Sequence, residues 1–371
     1  MRLGTCIALE LALAAGAVVG AAVGVMHVSR LGGDYLAATE ARAATPPAPA
    51  PAPVPPVVPL PSAELAVAPP APPPPSVFGA PDAELLAPLG AAKVTRVKLN
   101  QGGSSLSLRL DFANGARAAF KPEQVHLQSE PRREIAAYRL DRLLGLGRVP
   151  PAKAGAFPLA ELLAAADPAT RGAVTERLTA EGRSRGGVLH GELSWWIPEI
   201  KYARIGSRNV DEPAGRALWI SYLQVGARIP AEARPLVEQL AACVLFDTLT
   251  DNPDRWSGNN VMTSPDGQVF YIMDNTMSFS LARIGHDMNV GLLHRIQVFP
   301  RGLVQRMRAL TEEQVKAALE GALEGGAGDT RLGPLLLPEE IHAVMERRDH
   351  IMKYIDQLVA VHGEQAVLGL P

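Results

Sequence analysis

In the run DTLTDNPDRWSGNNVMTSPDGQVFYIMDNTMSFS, residues 247–280, Asp254 sits in an Asn-Pro-Asp-Arg loop and Asp274 ends a strand-like segment, with Asn259 between them. Phosphoryl transfer calls for such a set: a carboxylate beside the attacking hydroxyl, and oxygen ligands for divalent ions that neutralise the phosphates. In that chemistry Asp254 accepts or orients the hydroxyl proton, and Asn259 and Asp274 are metal ligands. Residues 267–274 read as a strand entering from the Pro265-Asp266-Gly267 turn. Residues 235–248 read as a helix whose apolar face includes Leu236, Leu240, Val244 and Leu245.

Working outward, Leu106, Leu108, Leu110 and Phe112 alternate with Ser105, Ser107, Arg109 and Asp111, the period-2 pattern of a half-buried strand. Asn114-Gly115 predicts a type I′ hairpin turn, so residues 116–121 return as a partner strand ending on Lys121. Residues 134–144, EIAAYRLDRLL, predict a helix stopped by Gly145 and Gly147. A strand lysine fixed by a helix glutamate grips nucleotide phosphates, which makes Lys121 and Glu134 candidates for both nucleotide binding and catalysis. Glu123 competes with Glu134 for that role. Gly102 and Gly103, in Gln101-Gly102-Gly103-Ser104-Ser105, are candidates for exposing backbone N–H groups to phosphates. Thr311 with Gln314 predicts a capping box, and residues 339–361 a long closing helix, so the back half is mostly helical.

Each piece alone has an ordinary reading. Asn-Pro-Asp is a common turn, Lys–Glu pairs occur on any surface, and Asp-Asn caps turns. Their order is not ordinary: strand Lys, helix Glu, a second helix, a DR-x3-N loop, a strand and an Asp is the linear layout of a bilobal kinase. Other enzyme classes drop out, since the chain has no GxxxxGK[ST], no GxGxxG after a strand and no HExxH. Gly182-Arg183-Ser184-Arg185-Gly186 matches GxSxG, but polar flanks make it an exposed basic loop. Trp195-Trp196 is either a substrate shelf or core. His286 and His294 lack metal-ligand spacing, and Cys243 reads as buried and inert.

The 371 residues are 47% hydrophobic and 20% charged with a formal net charge of −2, which gives no electrostatic reason to expect nucleic acid as a partner. Residues 5–28 carry one charge, Glu10, and are long enough to cross a hydrocarbon layer, so 1–30 read as a membrane anchor or, alternatively, a cleaved signal segment. Fifteen of the thirty residues from Pro46 to Pro75 are proline, which makes 31–77 a disordered Ala/Pro-rich linker. Residues 78–371 remain as the working domain, with an N-lobe to about 200 and a C-lobe from about 201. The domain is expected outside the cytoplasm.

AAFKPEQ (118–124), EIAAYRLDRLLGLGRVPPAKAG (134–155), DNPDRWSGNN (251–260) and MDNTMSF (273–279) resemble blocks of the four-jointed and Golgi casein kinase-like atypical secretory-pathway kinases. More distantly, the DR-x3-N spacing resembles HipA-like and phosphoinositide-kinase-like enzymes. The resemblance implies an α+β, bilobal atypical protein-kinase-like fold, with a hairpin-rich N-lobe and a mainly helical C-lobe. It also implies ATP with Mg2+ or Mn2+ as cofactors and a protein or glycan acceptor. Residue by residue, Lys121 contacts phosphates, Glu134 is the early-helix glutamate, Asp254 is catalytic and Asp274 binds metal. Trp256 and Thr276 depart from the residues common in that family, and no cysteines are present for the disulfides of its animal members. Two other readings stay open at this stage: a pseudokinase that binds nucleotide or a partner without transfer, and a non-enzymatic TonB-like envelope-spanning protein.

Overall fold

Leu106, Leu108, Leu110 and Phe112 are at most 3% exposed, as their alternation requires. The last three lie in β2 (Leu108–Phe112), which Leu106 precedes and which is flanked by β1 (Val94–Leu99) and β3 (Arg117–Pro122). The computed structural model describes residues 76–100, 103–257, 260–320 and 332–371. The segment expected to be a membrane anchor, nearly all of the expected linker, Gly102 and Asn259 therefore lie outside the described residues. Among the described residues no helix is long and apolar enough to cross a membrane.

The main sheet is antiparallel throughout. Its order is β1-β2-β3-β6-β4, where β4 is Ala152–Pro158 and β6 is Val188–Trp195, with the short β5 (Ser184–Arg185) paired to β6. The hairpin between β2 and β3 is not the type I′ turn expected. Only Gly115 has positive φ, at 82°, the Gly115 N–H donates to the Phe112 carbonyl, and the Phe112 N–H donates to the Ala116 carbonyl. This is a type I turn closed by a left-handed glycine, the three-residue alternative in which Asn114 keeps ordinary backbone angles and its side chain accepts from the Ala116 N–H. Gly191 on β6 is required for a different reason: a Cβ there would lie 2.3 Å from the Lys121 carbonyl, so only glycine lets β6 approach β3 at that level.

The early helix runs from Pro131 to Leu143, starting three residues before the expected Glu134 because Pro131 occupies its first turn, where a missing N–H costs nothing. It ends on Gly145, with the Leu146 N–H donating to the Asp141 carbonyl. Asp141, fully buried, accepts from the Arg148 and Val149 N–H groups and thereby fixes the path of the chain into β4.

Helices dominate after residue 210. The central helix, Arg234–Thr250, is buried almost all round from Leu240 onward, the mark of a core helix rather than a surface one. The expected strand over 267–274 is only Phe270–Tyr271, pairing with Met262–Thr263 and through it with Lys201–Tyr202. The residues after Tyr271 leave the sheet because Asp274 turns into the left-handed region, with φ of 57°. The capping box is present, with Thr311 and Gln314 exchanging side-chain to backbone bonds before the helix Glu312–Glu320. The closing helix spans Pro338–His362. Ser184 and Arg185 lie exposed on a hairpin, as the basic-loop reading of GxSxG expects.

Candidate active site

β3 presents Phe120 to the core, where it meets Phe157 edge-on, so Lys121 points to the opposite face of the sheet. There Lys121 Nζ donates to Asp274 Oδ1 at 2.5 Å. The expected Lys121–Glu134 pair is replaced by a relay. Glu134 Oε2 accepts from the Asn275 N–H at 2.6 Å and Oε1 from Asn275 Nδ2 at 3.1 Å. The left-handed turn at Asp274 causes this, because it returns the carboxylate towards β3 while aiming the next N–H at the early helix. Such a conformation in a non-glycine residue is the kind of strain retained at functional sites. Glu123, the rival of Glu134, is turned to Arg185 at 2.8 Å and takes no part.

The second half of the site is organised by two buried side chains that the sequence reading gave no role. Asn252 accepts from the Asp254 N–H at 3.1 Å and donates to the Asp274 carbonyl at 3.0 Å, so one amide ties the two candidate aspartates together. Arg255, fully buried, pairs with Asp247 on the central helix at 3.1 Å, donates to Asn275 Oδ1 at 2.7 Å and to the Met273 carbonyl. Removing one partner of such a pair costs far more than the pair contributes, so Arg255 fixes the loop geometry at high stakes. Asp254 itself is gripped at both oxygens, by Ser257 Oγ and by Asn260 Nδ2 at 2.7 Å. Asp251 ends the central helix in the left-handed region and is held there by the His286 N–H at 2.6 Å and by Ser280 Oγ.

Lys121, Glu134, Asp254 and Asp274 are thus joined by one hydrogen-bonded path. Gly103 has a φ of 81° with open space where a side chain would be, and its neighbour Ser104 is held by Arg177 at 2.9 Å. Trp256 is buried against Trp219 at 5.5 Å, and Thr276 Oγ1 donates to Asp274 Oδ1 at 3.2 Å, so the two departures from the family pattern support the loops they sit in. Trp195 packs on Phe78, and Trp196 lies under Arg109. Cys243 is buried beside Asp247, as expected.

A further acid, the buried Glu192, lies directly across from Lys121 on β6 and accepts from Ser194 Oγ. A lone charge in the apolar strand VLHGELSW was the signal available in the sequence, but its cross-strand partner was not readable there. Three carboxylates therefore face one ammonium. Burial would depress Lys121, but Asp274, Glu134 and Glu192 outweigh it and hold the ammonium firmly protonated. Burial would raise Asp274, yet Lys121 holds it below the ordinary carboxylate range. Glu134 is raised, by burial first and by Asp274, against the pull of Lys121. Glu192 is raised well above the ordinary value, by burial and then by Glu134.

The folded protein thus keeps a proton on Glu192 that the unfolded chain has lost, and stability falls as pH rises from about 4.5 towards the folded value. Glu192→Gln, which preserves the bond to Ser194, is expected to melt higher than the native chain at pH 8 in chelator-treated buffer. A gain of about 2–4 °C corresponds to each kcal/mol recovered. The gap should close towards pH 4.5; a gap independent of pH would show that Glu192 ionisation carries no cost.

No protein-family model matches the chain. It is 23% identical over 315 residues to human glycosaminoglycan xylosylkinase, covering 76% of each chain. Over 80 residues it is 38% identical to human extracellular serine/threonine protein kinase FAM20C, a segment that covers 18% of this chain and 14% of that one. The crystal structure of the Golgi casein kinase with Mn/ADP bound superposes with a TM-score of 0.61 at 19% identity, covering 77% of this chain and 78% of that chain. The resemblance to the four-jointed and Golgi casein kinase-like family is borne out. The α+β kinase-like fold of that family is the fold described above, with β3 and the early helix in its front part and the Asp254 loop in its helical part.

Proposed function

We propose that this chain is an atypical kinase that moves the γ-phosphate of ATP onto a hydroxyl of a protein or glycan, with Asp254, Asp274, Lys121 and Glu134 as its working residues. The observation that carries this reading is the continuous path from Lys121 through Asp274 and Asn252 to Asp254. The pseudokinase reading keeps the fold but leaves this connected acid–base and phosphate-gripping set without a task. A TonB-like role leaves it unexplained altogether.

The donor set fits a hard divalent cation. Asp274 supplies carboxylate oxygens, its side chain keeps 39% of its surface open, and the acidic side chain nearest it, Glu134, also offers oxygen rather than nitrogen or sulfur. Among the described residues, no three His, Cys, Asp or Glu side chains are grouped to hold a metal ion alone. That agrees with an ion whose shell is completed by nucleotide phosphates, as Mg2+ and Mn2+ sites of kinases are. Asp274 would hold it, with Asn259 as the second ligand expected from the sequence, and Mg2+ or Mn2+ when bound supplies charge neutralisation at the phosphates.

The chain's own residues do the rest. Lys121, kept charged by the acidic side chains around it, Asp274 first, grips phosphate oxygens, and Glu134 fixes Asn275 and so the turn that presents Asp274. Asp254 has both oxygens anchored, yet each retains a second lone pair with which to accept the acceptor hydroxyl proton and orient its oxygen. Relatives that act on glycosaminoglycan or on protein serine and threonine motivate the acceptor class. A membrane-tethered domain outside the cytoplasm, borne on the apolar segment 5–28 and the proline-rich spacer, completes the proposal. Incubation of the purified chain with γ-labelled ATP, Mn2+ and separate casein and xylosylated-glycan acceptors tests it. Label in either acceptor supports the reading. Stabilisation by ADP and Mn2+ with no label in any acceptor would return it to a pseudokinase.

A further inference from the structure

The closing helix carries two buried charges, Glu340 and Arg347, seven residues and thus about two turns apart on one face. Each reaches a different half of the site. Glu340 accepts from Arg132 at 2.7 and 2.9 Å and from Arg133 at 2.9 Å, the two residues that precede Glu134 on the early helix. It also caps its own helix by accepting from the Leu337 N–H at 2.8 Å. Arg347 donates to the Leu249 carbonyl at 2.8 Å, in the last turn of the central helix, and to the Ser280 and Ala282 carbonyls at 2.9 and 2.7 Å. Those last two residues lie just downstream of Asp274. Asp251 grips the same segment through Ser280 and His286, and Gly285 passes where a Cβ would meet Asp251 and Arg347 at 3.0 and 3.4 Å.

Glu134 and Asn275 are 141 positions apart in the chain and meet through two hydrogen bonds, joined by a longer one from the Glu130 N–H, at the start of the same helix, to the Thr276 carbonyl at 3.3 Å. A metal cradle tolerates displacements well under an ångström, so these few bonds need a frame behind them. We infer that the Glu340–Arg347 face of the closing helix is that frame: a strut whose two ends hold the helix of Glu134 and the segment after Asp274 at the spacing that divalent-cation binding requires. Both are positioning residues, since neither touches the proposed ligands, and the inference rests on the kinase reading of the site. The sequence carries no sign of it beyond two charges at i and i+7 in an otherwise amphipathic helix.

Two substitutions loosen one end each. Glu340→Gln keeps the cap on Leu337 but withdraws the charge from Arg132 and Arg133. Arg347→Lys keeps a cation but loses the planar fork that serves three carbonyls at once. In the full chain with saturating ADP, Mn2+ affinity read from the spectrum of the free ion against a protein-free Mn2+/ADP control should weaken at least about fivefold in each. Backbone amide exchange at Asn275 should quicken by about tenfold, with exchange in β2 unchanged. Arg133→Gln removes a single contact and serves as the milder variant should either of the others fail to fold; it should shift both readouts in the same direction. A purely structural role lowers the melting temperature but leaves Mn2+ affinity and Asn275 exchange within twofold of the native chain, and that result overturns the strut. A native chain that binds no Mn2+ even with ADP present counts against the metal reading instead, and Asn275 exchange in the variants then decides the strut by itself.

Discussion

Asp274→Asn should abolish metal-dependent phosphoryl transfer, with a loss of about 10^3-fold or more, while leaving the fold intact. Asparagine is the informative replacement because it tolerates the left-handed backbone that Asp274 adopts, whereas alanine adds a penalty of about 1–2 kcal/mol for that conformation. Loss of the carboxylate does not strand the cation, since an asparagine side-chain oxygen can still accept from Lys121 Nζ and Glu134 still favours the ammonium from nearby. The stability change should therefore be modest. Its pH dependence has a definite sign: Asp274 is held below the ordinary carboxylate range, so its contribution is present above pH 3.8 and is lost as pH falls through the folded value. Native and Asp274→Asn chains should differ at neutral pH and converge in strong acid. Parallel measurements of Mn2+ binding, melting and label transfer check this, and turnover within tenfold of the native rate removes Asp274 from the metal site.

The geometry that makes this replacement informative is the departure from a direct lysine–glutamate pair. Lys121 reaches Asp274, Glu134 reaches Asn275, and the two carboxylates are linked through one backbone turn. Asp274, the residue that would hold a divalent cation, also accepts from the Lys121 ammonium, so Lys121 would be the group available to turn to phosphate oxygens.

What the sequence made readable follows from the range of the physics involved. The alternation of Leu106 to Phe112, the helix of EIAAYRLDRLL and the reciprocal caps of Thr311 and Gln314 depend on neighbours a few residues away, and all three appear, the strand over Leu108–Phe112 and the helix from Pro131. The turn type at Asn114-Gly115 was misread because the dipeptide fits two hairpin geometries and only the strand register chooses between them. The strand over 267–274 was cut short by the turn at Asp274, which tertiary bonds from Asn252 and Glu134 hold in place against local preference. Glu192, Asn252 and Arg255 escaped notice for one shared reason. Their partners lie on other elements, and a single sequence does not reveal which buried polar group faces which. The candidate aspartates were readable because kinase chemistry demands acids in a known order, whereas the residues that hold them answer only to packing.

Asp254→Asn should lower the rate of the chemical step by about 10^2–10^4-fold and leave nucleotide and metal binding within threefold of the native values. The local structure accommodates the change. Asp254 accepts from Asn260 Nδ2 at one oxygen and from Ser257 Oγ at the other. An asparagine can keep its carbonyl towards Asn260 and donate its amide to Ser257, whose hydroxyl reverses role without moving. Asn252 still receives the backbone N–H of residue 254, so the tie to Asp274 survives. What disappears is the capacity to accept a proton from the attacking hydroxyl. Single-turnover label transfer is the proper readout, since product release limits steady-state rates in many kinases and would mask the loss. A fall in the chemical rate with unchanged stabilisation by ADP and Mn2+ separates this residue from Asp274, whose replacement removes both. A chemical rate within fivefold of native would mean that the hydroxyl is oriented by some other group, leaving Asp254 as a loop anchor for Ser257 and Asn260.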